Sequence, residues 1–215
     1  MKVSLIESRD LSEAWFLCLR KTLEEGYEYC IERGSYAGQR RKELDFVVVK
    51  MTNPGNRPLT PDVPTGVPAP TTMEYIENYL PYLMTAHRAE GEQYTYGQYL
   101  EGQIAEVIKI YKEDGCDTNQ AYMTVGDSRS ILITDPPCLR GIDTRVRYGK
   151  LHFIAYFRSW DLWAGFPSNL AAMQLLKEYM ASEIGVADGE MIATSKGMHL
   201  YEYSWELAKT AAGMA

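Results

Sequence analysis

"DPPCLRGIDTRVRYGKLHFIAYFRSWD", Asp135 to Asp161, is the stretch from which the rest of the chain can be interpreted. Its middle, "TRVRYGKLHFIAYF" (Thr144–Phe157), has strand composition on both sides of Tyr148-Gly149 and predicts a hairpin turning at that dipeptide. Its two ends carry chemistry. Pro136-Pro137 fixes the backbone just ahead of Cys138, a stiff bend that can present a side chain. Farther on, "FRSWD" sets Arg158, Ser159 and Asp161 in an otherwise apolar run, where unpaired burial of charge would be costly. A lone cysteine is more often a small buried hydrophobe than a nucleophile. A guanidinium beside a thiol, however, favours the thiolate and lowers its pKa.

Working outward, "VSLIES" (Val3–Ser8) predicts a short strand and "DLSEAWFLCLRKTLEEGYEYC" (Asp10–Cys30) a helix. Asp10 can cap that helix with Glu13 three residues on, and Trp15, Leu19 and Leu23 recur every fourth residue. "ERGSYAGQRRK" (Glu32–Lys42) predicts a flexible loop carrying Arg33, Arg40 and Arg41, ordinarily a solvated basic cluster. "ELDFVVVKM" (Glu43–Met51) predicts a strand. Six of the ten prolines fall between Pro54 and Pro70, which excludes helix and inner strand there and predicts an ordered surface excursion. "TTMEYIENYLPYL" (Thr71–Leu83) predicts a helix that stops before Pro81. "YGQYLEGQIAEVIKIYKED" (Tyr96–Asp114) predicts an amphipathic one with Leu100, Ile104, Val107, Ile108 and Tyr111 on one face. "SRSILIT" (Ser128–Thr134) predicts a strand. "PSNLAAMQLLKEYMASEIG" (Pro167–Gly185) predicts the clearest helix, with a core stripe of Met173, Leu176, Met180 and Ile184 and a stop at Gly185. "EMIATSKGMHLYEY" (Glu190–Tyr203) predicts strand, turn, strand, and "SWELAKTAAGM" (Ser204–Met214) a terminal helix. Such a mixture belongs to the α/β or α+β class, and periodicity does not choose the topology.

The 215 residues suit one domain, here taken as 1–215. With 46% hydrophobic and 24% charged residues the composition is that of an ordinary globule, and no apolar run approaches a membrane span. The N-terminus turns polar before a signal-peptide core could form, so a cytoplasmic protein is expected. Cys18, Cys30, Cys116 and Cys138 are scattered without a CxxC, which suggests neither a zinc site nor a disulfide framework. A net charge of -7 argues against general nucleic-acid binding. It leaves room for a small anion, which needs only a few well-placed arginines.

Two further segments join Cys138. "GFPSN" places Asn169 at the mouth of the long helix, where Ser168 or Asn169 could merely cap it. "GMHLY" holds His199 and Tyr201, which on a strand would share a face. Arg158, Asn169 and His199 lie 20, 31 and 61 positions beyond Cys138.

In this order and spacing, "PPC", "FRSWD", "GFPSN" and "HLY" resemble the catalytic-cysteine turn, the R-S-x-D, the G-x-P-x-N and the H-x-Y segments of the thymidylate synthase family. The resemblance is strong from Ser128 to Tyr203, fainter at "YTYG" (Tyr94–Gly97) and poor before Thr71, and the short chain is most similar to the archaeal-type branch. It implies a three-layer fold in which a large mixed β-sheet packs back to back against that of a second subunit. It also implies methylation of dUMP to dTMP, with methylene-tetrahydrofolate or methylene-tetrahydromethanopterin as donor and no metal. Cys138 would add to uracil C6. Arg158, helped by Ser159, would hold the nucleotide phosphate, and Arg129 would reach the partner subunit's phosphate site. Asn169 would read the O4/N3–H edge of the base, where a carboxylate would suit cytosine. His199 and Tyr201 would bind the ribose hydroxyl, Asp161 and Trp163 would meet the pterin, and Tyr96 would assist proton removal from C5. The family's N-terminal glutamate has two candidates here, Glu74 and Glu77. A further phosphate arginine has three, Arg33, Arg40 and Arg41.

Departures from the family pattern are Leu139 after the cysteine, Arg129-Ser130 for an arginine pair, and Trp160 inside R-S-x-D. Core filling is the commoner role of an arbitrary tryptophan, and Trp163 is compatible with it. Two other activities share these motifs: pyrimidine-nucleotide hydroxymethylation, in which water replaces hydride, and nucleotide binding without turnover. A generic cysteine hydrolase using Cys138 and His199 would leave Arg158 and Asn169 without a task.

Overall fold

A computed structural model describes residues 1–88 and 90–214. Ten strands and five helices follow one another along the chain: β1 (Val3–Ser8), α1 (Leu11–Glu25), β2 (Tyr27–Cys30), β3 (Arg40–Leu44), β4 (Phe46–Met51), α2 (Met73–Met84), α3 (Gly97–Glu113), β5 (Tyr122–Thr124), β6 (Leu139–Arg147), β7 (Lys150–Phe157), β8 (Trp160–Asp161), α4 (Gly165–Ile184), β9 (Ala187–Ser195), β10 (Met198–Tyr201) and α5 (Trp205–Ala211), with single 3-10 turns at Ser130–Leu132 and Glu202–Ser204. A six-stranded mixed sheet runs β1-β4-β9-β7-β6-β5, and a four-stranded one runs β2-β3-β10-β8. This is a mixed α/β architecture with a large mixed sheet, the fold that the sequence motifs imply.

The two sheets are one set of strands bent at a crease. β4, β9 and β7 are neighbours in the large sheet, and β3, β10 and β8 are neighbours in the small one. Each pair is separated by only one or two residues: Asp45 between β3 and β4, Lys196-Gly197 between β9 and β10, Arg158-Ser159 between β7 and β8. A strand interrupted in this way bends sharply and aims its side chains off the ladder. Backbone bonds stitch the crease, from Arg158 N–H to the Cys138 carbonyl (2.8 Å) and from Trp160 N–H to the Gly197 carbonyl (2.9 Å).

The helices cover one face of the large sheet. α4 is buried nearly all round, and even Lys177 at its centre is fully buried, with its ammonium donating to the Gly189 carbonyl and pairing with Asp188 at 3.1 Å. From the sheet, Val47, Val49, Met51, Phe153, Ala155, Met191 and Ala193 point into this core, and every second residue points out. That outward face carries apolar side chains as well, with Val3, Leu5 and Ile154 exposed at 68%, 65% and 37%.

Several local expectations hold. Asp10 accepts from the Glu13 amide as N-cap, and Gly185 ends α4 with φ 86°. The hairpin turns at Tyr148 (φ 53°) and Gly149 (φ 69°), a pair of positive angles that matches the twist of the flanking strands. The proline-rich excursion is ordered without helix or strand, and Leu59 and Val67 pin it to the core.

Others are corrected. The first helix ends at Gly26, and Tyr27–Cys30 is a strand. The basic loop shrinks, because Arg40 and Arg41 belong to β3. Glu43–Met51 is two strands in different sheets. α2 runs through Pro81 to Met84, since so near the helix end a missing N–H costs one bond and the Thr85 amide still reaches the Pro81 carbonyl at 2.9 Å. Ser128–Thr134 is a 3-10 turn in place of a strand; Ile131 and Leu132 are about three-quarters exposed, and local bonds among Asp127, Arg129 and Ser130 hold the chain instead of a ladder. Among the described residues no helix is long and apolar enough to cross a membrane.

Candidate active site

Cys138 stands at the start of β6, immediately before Leu139 enters the ladder. Its sulfur opens on a cavity of about 790 Å³ whose wall includes Arg33, Arg41, Arg158, Ser159, Lys196 and Tyr201, along with Tyr94, Tyr36, Glu43 and Asp135. The crease supplies Arg158, Ser159 and Lys196, the sharp bend turning them from the ladder to the cavity. With Arg33, Arg41, Arg158 and Lys196 against Glu43 and Asp135, cations outnumber carboxylates, so the cavity favours an anion in an otherwise acidic molecule.

The Arg158 guanidinium lies 3.9 Å from the Cys138 sulfur through Nη2. It also ties down the turn, its Nε donating to the carbonyls of Pro136 (3.1 Å) and Pro137 (3.2 Å) and its Nη2 to that of Pro136. One side chain thus holds the bend and faces the thiol. The sequence-based expectation of a lowered thiol pKa is corrected in its net sign. Burial dominates and raises the Cys138 pKa, while Arg158 is the leading influence in the opposite direction and Asp135 and Asp161 add to the rise.

Two tyrosines back the turn. Tyr96, buried at the start of α3, accepts from the Leu139 amide at 3.4 Å and lies behind the cysteine. Tyr94 lies against the Cys138 amide and lines the cavity itself. Its hydroxyl is held protonated, with a pKa pushed by burial to about 12. Tyr94 escaped the sequence reading although it sits in the quoted "YTYG"; the side facing the cavity was not legible in a loop. Lys196, in the bend between β9 and β10, escaped as well.

His199 is buried, with Nδ1 2.9 Å from the Gly197 carbonyl. A carbonyl only accepts, so the proton is on Nδ1 and Nε2 is an acceptor. That Nε2 is buried and has no hydrogen-bond partner among the described residues. Burial, with Arg41 and Arg158 nearby, pushes the imidazole pKa down to about 4, so it is neutral. The ring meets Tyr201 edge-on at 4.7 Å, and Tyr201 stacks on Tyr36 at 4.6 Å on the cavity wall.

A second cavity, about 520 Å³, is lined by Asp161, Asn169, Tyr75, Tyr79, Ala164, Gly165 and residues 70–72. It shares no lining residue with the first, but Ser159 on the first and Asp161 on the second are only two positions apart along the chain. The Asp161 carboxylate accepts from the amides of Trp163 (3.1 Å), Ala164 (3.3 Å) and Gly165 (3.1 Å), and so closes the N-terminus of α4. Ser168 and Asn169 are therefore not caps. Asn169 is the fifth residue of α4, with Oδ1 accepting from the Trp160 indole at 3.2 Å and Nδ2 donating to the Tyr79 hydroxyl at 2.9 Å.

Other expected residues lie elsewhere. Trp163 is buried against Trp15, at 5.3 Å between rings, and lines neither cavity. Arg129 is exposed beside the 3-10 turn, away from its own chain's cavities. Glu74 and Glu77 are exposed on α2, and neither lines either of these two cavities; Tyr79 is the α2 residue that faces Asn169. Arg40 is tied to Glu28 and Glu202 and lies over Trp205. Arg41 is held by Glu43 (2.8 Å) and Tyr29 (2.6 Å), whereas Arg33 makes no hydrogen bond or ion pair among the described residues.

The thymidylate synthase family model matches residues 88–212, which take in Cys138, Arg158, Asn169, His199 and Tyr201. The chain belongs to the thymidylate synthase family. A protein described as "Putative thymidylate synthase" from Methanosarcina acetivorans is 28% identical over 211 residues, covering 95% of this chain and 93% of that protein. One of the same description from Methanothermobacter marburgensis is 28% identical over 216 residues, covering 93% and 94%. The "Thymidylate synthase" of Listeria monocytogenes is 39% identical over 108 residues, half of this chain and 34% of its own length. The thymidylate synthase family transfers one-carbon units and in general uses a folate-type cofactor, so the second cavity must be asked whether it suits one. It offers a carboxylate acceptor at Asp161 beside the rings of Tyr75 and Tyr79, which fits the amino and N–H donors and the flat face of a pterin.

Proposed function

We propose that this protein is a thymidylate synthase acting as one catalytic unit over residues 1–215, with the dUMP phosphate and ribose in the cavity of Cys138, the uracil edge reaching the Asn169 wall of the second cavity, and a reduced pterin against Asp161 in that second cavity. The observation that carries the reading is the Cys138 sulfur on the wall of a cation-rich cavity, 3.9 Å from the Arg158 guanidinium. The phosphate would meet Arg158, Ser159 and Arg33, the last chosen over Arg40 and Arg41 because its guanidinium is unpaired and on the wall. A phosphate dianion there would draw off part of Arg158's influence on the thiol, so the two roles of that arginine are coupled. Cys138 would add to C6 as the thiolate, leaving C5 nucleophilic. His199 Nε2, an acceptor without a partner, would take the ribose hydroxyl's proton as a hydrogen bond, with Tyr201 at its side. Asn169 would read the base edge. Tyr96, and Tyr94 on the wall, would order the water that accepts the C5 proton.

When bound, methylene-tetrahydrofolate or its methanopterin counterpart supplies the one-carbon unit and the hydride. Asp161 would hold the ring's donors while its remaining lone pairs keep the α4 terminus closed. A second subunit, packed on the outward face of the large sheet, would lend Arg129.

Incubation with dUMP and methylene-tetrahydrofolate is expected to yield dTMP and dihydrofolate in equal amounts. Hydroxymethyl-dUMP formed without dihydrofolate would assign the protein to hydroxymethylation. Tight dUMP binding with no covalent adduct at Cys138, on challenge with 5-fluoro-dUMP and the same cofactor, would assign it to binding alone.

A further inference from the structure

Asn169 is held from both sides, by Trp160 at the variable position of R-S-x-D and by Tyr79 outside the motifs, and the chemistry of the two contacts differs. The Trp160 indole N–H has only a donor to offer, so the atom it meets at 3.2 Å is the amide oxygen and the amide cannot be turned over. Trp160 is itself immobile: it is 1% exposed, stacked on Phe157 with ring centroids 4.2 Å apart and packed on Phe166 at 4.6 Å. The amide nitrogen must then face the other way, where it donates to the Tyr79 hydroxyl at 2.9 Å. A phenol that accepts from an amide keeps its own proton for another partner. Among the described residues Tyr79 makes no second hydrogen bond, and its ring lies on the wall of the cavity that Asn169 also lines. The Tyr79 ring is fixed by stacking on Tyr82 at 5.3 Å and Tyr75 at 6.1 Å. Burial raises its pKa well above that of a free phenol, so the proton stays in place at working pH.

We propose that Trp160, Asn169 and Tyr79 form a relay of fixed polarity, in which Trp160 positions the amide and Tyr79 presents a hydroxyl donor that selects a pyrimidine with a carbonyl at C4. The inference rests on the nucleotide reading above. Uracil O4 has two lone pairs, and it would accept from the second N–H of Asn169 and from Tyr79, while the second lone pair of Oδ1 takes N3–H. Cytosine carries an amino group at C4 and an unprotonated N3, so each of these contacts would set donor against donor or acceptor against acceptor. A site built to hydrogen-bond one group rejects the analogue that lacks it much more strongly than an apolar pocket does. The tyrosine is a specificity-determining residue and the tryptophan, which touches no substrate, is a positioning residue.

The test is equilibrium binding of dUMP and of dCMP to the full chain and to Tyr79→Phe and Trp160→Phe. Tyr79→Phe preserves the ring stack and removes one donor. The dUMP preference is expected to fall about tenfold, a loss of the size one hydrogen bond carries. Trp160→Phe leaves the core aromatic and frees the amide to turn over, and is expected to lower the same ratio while changing dUMP affinity less than selectivity. A merely structural role would weaken both nucleotides equally, so an equal loss, or a ratio unchanged in both variants while dUMP still binds, overturns the relay. Failure of the unaltered protein to bind dUMP overturns the nucleotide reading itself.

Discussion

At Cys138, competing influences on one sulfur decide its reactivity. Burial raises the thiol pKa above its ordinary value and Arg158 opposes that rise, so the thiolate is a minor species that grows as pH increases. Removing Arg158 removes the leading opposing charge. Arg158→Ala is therefore expected to shift the pH profile of adduct formation to higher pH and to weaken dUMP binding; a profile that stays in place would show that the guanidinium does not act on the sulfur. Cys138→Ser is expected to lose turnover by at least about a thousandfold, the scale of losing an activated nucleophile, and to keep dUMP binding, as isothermal titration would show. His199 makes a separate prediction about stability. Its pKa is about 4 in the folded chain against 6.5 unfolded, so the unfolded state binds the proton first. Its neutral form is favoured above pH 6.5, and folding stability falls as pH drops from 6.5 toward 4, by about 3 kcal/mol over that window. His199→Gln should flatten that part of the urea-unfolding profile relative to the unaltered protein, the carboxylate contributions being common to both.

At the scale of elements, α4 anchors the site because it carries Asn169 near its amino end, which Asp161 closes. Leu176 is fully buried midway along it, and Leu176→Ala should cost about 2–5 kcal/mol, according to how far the cavity collapses. Gly185 ends the helix at φ 86°, so Gly185→Ala should cost about 1 kcal/mol from backbone strain alone. Both are measured by the shift in denaturation midpoint at unchanged m-value. These features were legible in sequence: the stripe, the glycine stop, the Tyr148-Gly149 turn and the spacing of Cys138, Arg158, Asn169 and His199. The crease was not. Glu43–Met51 reads as one strand because Asp45 interrupts it for a single residue, and no local pattern says that the two halves enter different sheets. Exposed Ile131 and Leu132 read as strand because they are apolar, while their true partners in the chain are few. The partners of Asn169 were illegible for a different reason: Trp160 lies nine positions before it and Tyr79 ninety positions before it, and only packing brings them together. The family model adds nothing on Tyr79, since its match begins at residue 88.

At the scale of the molecule, the outward face of the large sheet sets Val3 and Leu5 of β1, Phe46 and Val48 of β4, Ile192 of β9 and Ile154 of β7 side by side across the strands. An antiparallel or mixed sheet with one solvated face ordinarily alternates apolar-in with polar-out, and this face does not. A second copy seated there would bury it through an isologous contact about a two-fold axis. The exposed turn bearing Arg129, Ile131 and Leu132 would then be free to reach the partner. If Arg129 serves the other subunit's site, its effects separate from those of Cys138 by chain. Arg129→Ala and Cys138→Ser should each be inactive as homodimers. A mixed dimer of the two places the intact Cys138 of one chain opposite the intact Arg129 of the other and rebuilds one site of two. Unfolding and refolding an equal mixture should restore about one quarter of the unaltered activity by random pairing under two-fold symmetry. If Arg129 works within its own chain, neither site of the mixed dimer is complete and no activity returns, while a monomer in sedimentation would remove the shared site altogether.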